Sequence, residues 1–243
     1  MAKRIENTKR KKKQVVQQEA KESAKIYESA EALQDEIGRT QEFLEKNKKA
    51  VGAGLTALLA VVAIFFAFKY YQNSQNESAQ QELFPAVFYF EKDSLGKALD
   101  GDGNTTNGLL AVADEYGISA AGNLTNVYIG MSYLKKGEYD NAIEALSSFN
   151  ASDYMVQARV YSLLGDAYME KEDLGEAISY YEKAASYKPN KQFTPEYLMK
   201  LALAHELNND NGSAKEAYEE IIRKYPSFSE LNQAKKFLAR LSN

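Results

Sequence analysis

A small residue recurs through the C-terminal half of this chain at nearly constant intervals. Gly130, Gly165 and Ala202 stand 35 and 37 residues apart, and each is followed three positions on by a large side chain, Tyr133, Tyr168 or His205. Twelve positions beyond each small residue comes an alanine: Ala142, Ala177 and Ala214. A unit of this length accommodates two short helices and their turns. The small residue belongs where those helices cross, because only a minimal side chain lets two backbones approach closely. The large residue one turn later fills the space beside the crossing, and the alanine serves the second helix as the glycine serves the first. Pro189 and Pro226 follow the second and third units, where proline halts a helix. Breaker-rich stretches at 135–138 and 208–212 supply turns between the paired helices.

This spacing is that of the tetratricopeptide repeat (TPR), a helical hairpin that buries its apolar face only by stacking on its neighbours. The chain is therefore read as all-α, with about three full repeats and a degenerate one inside residues 107–227. The degenerate unit is placed at Leu95, Gly96 and Leu99 with Leu109–Tyr116, broken by a loop at 101–108. Residues 71–106 are expected to connect into the array by a helix over 76–99 and that loop. Leu231, Ala234, Leu238 and Leu241 form one stripe, which predicts a capping helix over 228–243.

Upstream, Ala50–Phe68 is an unbroken apolar run of 19 residues. As a helix it reaches about 29 Å, close to the ~30 Å hydrocarbon layer of a bilayer. Lys48, Lys49 and Lys69 bracket it, and Tyr70 and Tyr71 follow as an interfacial pair. A transmembrane helix is predicted over 50–70. Residues 1–49 carry 13 Lys+Arg against 9 Asp+Glu, whereas residues 69–243 carry 17 against 25. Arg39, Lys46, Lys48 and Lys49 precede the span closely and only Lys69 follows it closely. The positive-inside bias keeps the leader, residues 1–49, in the cytoplasm and sends the repeats across. Within the leader a thin stripe from Val16 to Leu44 predicts a helix, solvated or paired with a partner helix. The basic cluster Lys9–Lys13 reads as a topology determinant touching anionic lipid, not as a nucleic-acid site.

The first helix of each unit lines the concave face of a TPR stack. By the repeat frame that face receives Leu124, Val127, Met131 and Leu134, then Arg159, Ser162, Asp166 and Met169, then Met199, Leu203 and Glu206. Leu124 and Val127 have a second reading, packed beneath the helix 76–99. Methionine is flexible and polarizable and suits a groove that accepts varied apolar segments. Val127 and Met131 stand where chaperone-tail-binding repeats place a lysine–asparagine carboxylate clamp, which argues against capture of a C-terminal carboxylate. No catalytic, cofactor-binding or metal-ligating constellation is found. Cysteine is absent, and the one histidine, His205, occupies the large-residue position of its repeat. The expectation is a protein-binding module and not an enzyme.

The layout, with the stretch Leu109–Leu134 (LLAVADEYGISAAGNLTNVYIGMSYL) as entry into the first full repeat, resembles the YfgM-like ancillary subunits of the bacterial Sec translocon. The resemblance implies an inner-membrane protein beside SecYEG with a periplasmic TPR body. It implies a chaperone or adaptor acting with a periplasmic prolyl isomerase-type chaperone on newly exported, unfolded proteins. The other reading is a scaffold that organises a different envelope assembly through one fixed partner.

Overall fold

The computed structural model describes residue 34 and residues 37–150 and 154–242. The basic cluster Lys9–Lys13 and most of the expected leader stripe lie outside the described residues. The chain divides into two compact units, residues 1–67 and 68–243. In the first, α1 covers residues 37–46 and α2 (Lys48–Glu91) begins. From Leu55 to Phe66 the large apolar side chains of α2 are 42–68% exposed. A helix apolar on every face has no polar side to give to water. α2 is long and apolar enough to cross a membrane.

The second unit holds the rest of α2, α3 (Leu95–Asp100), α4 (Leu109–Tyr116), three hairpins and a closing helix. The hairpins are α5 (Ala120–Lys136) with α6 (Tyr139–Ser148), α7 (Tyr154–Glu170) with α8 (Leu174–Ser186), and α9 (Thr194–Leu207) with α10 (Asn211–Lys224). The closing helix is α11 (Leu231–Leu241). Among the described residues no β-strand forms, and a single isolated bridge joins Gly101 to Asn107.

One turn builds all three hairpins. Gly137, Glu172 and Asn209 each adopt the left-handed conformation, with φ of 77°, 60° and 61°. The next N–H, of Glu138, Asp173 or Asp210, donates back to the carbonyl of Tyr133, Tyr168 or His205 at 2.9 Å in each case. That is the bond that closes a helix end around a left-handed residue. Asp173 and Asp210 then cap the second helix by accepting the N–H of Glu176 (3.2 Å) and Ser213 (3.0 Å).

The same turn occurs once more, earlier. Asp93 has φ 56° and the Ser94 N–H donates to the Tyr89 carbonyl at 2.9 Å. Ala86, three residues before Tyr89, and Ala98, twelve after Ala86, are both fully buried. The end of α2 and α3 therefore form a further hairpin in the repeat frame. The sequence reading set that unit too late, at Leu95, Gly96 and Leu99, and ran a single helix over 76–99. The left-handed turn at Asp93 breaks that helix, and no glycine or proline marks the break.

The hairpins close at their small residues. A Cβ on Gly165 would stand 2.5 Å from Cε1 of Tyr181, and one on Gly130 would collide with Leu146. Packing then runs from neighbour to neighbour. Leu83, Leu99, Leu109, Val112 and Ile129 share one cluster. Leu146, Phe149, Val160, Leu163 and Leu164 fill the joint between the first two full repeats. Tyr181, Tyr197, Leu198, Tyr218 and Ile221 fill the next, which α11 closes with buried Ala234.

Candidate protein-binding groove

α5, α7 and α9 are the first helices of their hairpins and carry the residues assigned to the groove. The structure sorts these residues into groups. Leu134, Asp166, Met169 and Leu203 line one depression of about 560 Å³. Leu203 is 48% exposed, and Leu207, one turn on, is 53% exposed. Leu124, Met131 and Met199 are half-buried at the edges of the core clusters. Val127 and Ser162 are buried and offer a partner no surface. Val127 is buried in the joint between the first and second full repeats, and Leu124 packs half-buried against the same joint.

Two charged positions are already engaged. Arg159 donates to Glu196 at 3.2 Å, an exposed pair that ties α7 to α9. Glu206 accepts from the Tyr218 hydroxyl at 2.7 Å and from Arg240 of α11, and so joins three helices. Its side chain is only 14% exposed, so it serves the closing helix and not the groove.

The floor of the depression is a polar network that sequence spacing did not reveal. Lys200 on α9 donates to both carboxylate oxygens of Asp166 on α7, at 2.8 and 2.7 Å, and to Ser162 Oγ at 3.2 Å. The Tyr181 hydroxyl donates to Asp166 Oδ1 at 2.7 Å. Burial, with the Asp166 charge next, pushes the Tyr181 phenol far above its ordinary range, so it stays a donor. Asp166 thus meets two donors, and its charge is balanced by Lys200. A signal for Lys200 was present: it is a lone charge within Leu198–Ala204, an otherwise apolar stretch, and such a charge needs a partner. Beside this network Leu134, Met169 and Leu203 supply the apolar lining, and Lys135, Tyr139 and Glu170 the rest of the polar one.

Family comparison bears on the hairpins themselves. Residues 158–191 match one tetratricopeptide repeat family, and residues 126–152 and 196–227 match a second. These hairpins are tetratricopeptide repeats. No curated protein matches the chain. Among solved structures it is similar to the MamA protein, with 21% identity, 67% of this chain and 87% of that chain covered, and a TM-score of 0.45. A TPR array is a scaffold that binds other proteins on the surface its stacked helices expose. Among the described residues no three His, Asp or Glu side chains gather at a metal-sized site.

His205 fills the large-residue position of the third repeat, its side chain 12% exposed and Nδ1 3.5 Å from Asp210. Tyr133 and Tyr168 are likewise half-buried, Tyr168 stacking on Tyr180 with ring centroids 5.4 Å apart. Ala142, Ala177, Ala202 and Ala214 are fully buried, while Pro189 and Pro226 are exposed beyond the helix ends.

Proposed function

We propose that this chain is a membrane-anchored TPR protein that holds extended apolar segments of other proteins across α5, α7 and α9. The observation that carries the proposal is the depression itself: Leu134, Met169 and Leu203 stand beside an Asp166 already balanced by Lys200, and the second carboxylate there, Glu170, accepts from the Tyr139 hydroxyl at 3.1 Å. The apolar part of such a surface rewards apolar side chains of many shapes. The anchor is α2, and the positive-inside bias places the leader in the cytoplasm and the repeats in the periplasm of a bacterium. The resemblance of Leu109–Leu134 to the YfgM-like subunits supports a place in the inner membrane beside SecYEG. There the protein acts as chaperone or adaptor for unfolded exported chains, with a periplasmic prolyl isomerase-type chaperone as its partner.

Met169→Glu and Leu203→Glu in the full-length protein put a charge on the rim at side chains that are not buried. Each is expected to weaken binding of reduced, unfolded model proteins by about tenfold, a loss near 1.4 kcal/mol, with every client affected alike. Fluorescence anisotropy in detergent or nanodiscs reads the effect. A wild-type protein that ignores unfolded chains and captures one folded partner overturns the chaperone reading and leaves a dedicated scaffold.

A further inference from the structure

We propose that the turn Gly117-Ile118-Ser119, between α4 and α5, is a second membrane contact, seated on the phospholipid headgroup layer beside the point where the apolar run of α2 ends. The inference rests on the anchored reading of α2 and adds to it a fixed face of the repeat body. The headgroup layer extends about 5–7 Å beyond the hydrocarbon on each side. Gln72 lies four residues past Phe68, about 6 Å along the helix, and so falls within that layer. Its Nε2 donates to the Ile118 carbonyl at 3.0 Å, which brings the turn to the same depth. One turn of helix farther, Asn76 Oδ1 accepts the Ala121 N–H at 2.8 Å and holds the start of α5 beside α2.

The chemistry of this end fits lipid. Ile118 is 51% exposed, as an apolar side chain would be if its cover were the bilayer. Tyr70 and Tyr71, 78% and 52% exposed, stand at the same level, where amphipathic rings favour the membrane–water boundary. A depression of about 550 Å³ opens between α2 and the turn, lined by Lys69, Asn73 and Asn123 and by no carboxylate. The body as a whole is acidic, with 25 Asp+Glu against 17 Lys+Arg over residues 69–243, and would be repelled by anionic lipid. This end is the exception: Lys69, which also donates to Gln72 Oε1 at 3.4 Å, meets phosphate, the Asn73 amide meets headgroup oxygens, and Ile118 reaches the edge of the acyl layer.

The absence of cysteine allows labels to be placed one at a time. An environment-sensitive fluorophore on Ala120→Cys of the full-length protein, in phosphatidylcholine nanodiscs carrying a headgroup nitroxide, is expected to be quenched at least about threefold more than the same label on Lys224→Cys. Ile118→Asp added to the Ala120→Cys protein should lower that quenching, while the backbone bonds to Gln72 and Asn76 keep it above the Lys224→Cys level. Equal quenching at the two sites in the otherwise unchanged chain overturns the proposal, as does an Ile118→Asp variant quenched like its parent. A label on Leu59→Cys, read with a nitroxide deep in the acyl chain, reports on the anchor alone. Its failure to quench would sink the anchored reading itself.

Discussion

At Gly165 the absence of one methyl group sets how closely α7 and α8 approach, because Tyr181 occupies the place a Cβ would take. Gly165→Ala forces an aromatic ring out of a packed joint, and overpacking of this kind costs about 1–3 kcal/mol. Gly175 lies in the first turn of α8, with only Asp173 Oδ1 near, at 3.7 Å. Gly175→Ala should stabilise by up to about 1 kcal/mol through helix propensity alone. Urea unfolding of the two variants is expected to move the midpoint in opposite directions. The spacing of small and large residues made the crossings legible because sterics act through residue type. The left-handed turns were legible at Gly137 and at the asparagine-rich stretch 208–212. Asn209 belongs to a residue type that tolerates this conformation, but Glu172 adopts it because the backbone bond from Asp173 holds it there, and its side chain does not advertise that. Lys200 escaped notice for a related reason: its partner Asp166 lies 34 residues away, across a joint.

At the scale of elements, α2 does more than lead into the array. Glu82, midway along its second half, accepts from the Tyr116 hydroxyl at 2.9 Å and from Asn107 Nδ2 at 2.6 Å, and so ties α2 to α4 and to the loop before it. The hydrogen bond to Glu82, with burial second, pushes the Tyr116 phenol up to about 12. The raised value means that the folded protein favours the protonated ring. The stabilisation is therefore complete below the ordinary tyrosine range near pH 10 and is lost as pH rises through about 12. Tyr116→Phe should be less stable than wild type at pH 8, and the difference should close between pH 10 and 12. Thermal melts across that range check it, and a constant difference would assign the effect to packing and not to the bond. Pattern reading recovered the helical hairpins but misjudged where the first of them begins. Ala86, Tyr89 and Ala98 obey the repeat spacing, yet an alanine–tyrosine pair beside a long apolar helix carries little signal until the fold shows both alanines buried.

For the whole molecule, the frame makes α2 the start of the stack, so the array cannot be cut cleanly at the loop. A fragment of residues 107–243 strips Leu83, Ala86 and Leu99 from their cluster and bares Leu109, Val112 and Ile129. A fragment of 72–243 keeps that cluster whole. The shorter one is expected to bind a hydrophobic dye and to melt without a sharp transition, and the longer one to unfold cooperatively. Calorimetry with dye binding distinguishes them, and equal cooperativity would show that the α2 hairpin is dispensable. Within each full hairpin the distances are invariant: twelve residues from small residue to alanine, and the same carbonyl bond across the turn. The changes in repeat length fall instead in the joints, as in residues 187–193 between α8 and α9. A solenoid whose hairpins keep fixed distances has its grafting points marked out: foreign peptide spliced beside exposed Pro189, clear of the packed Tyr187 and Phe193, displaces no helix crossing and no hairpin turn, and gives the array a new epitope on an unchanged frame.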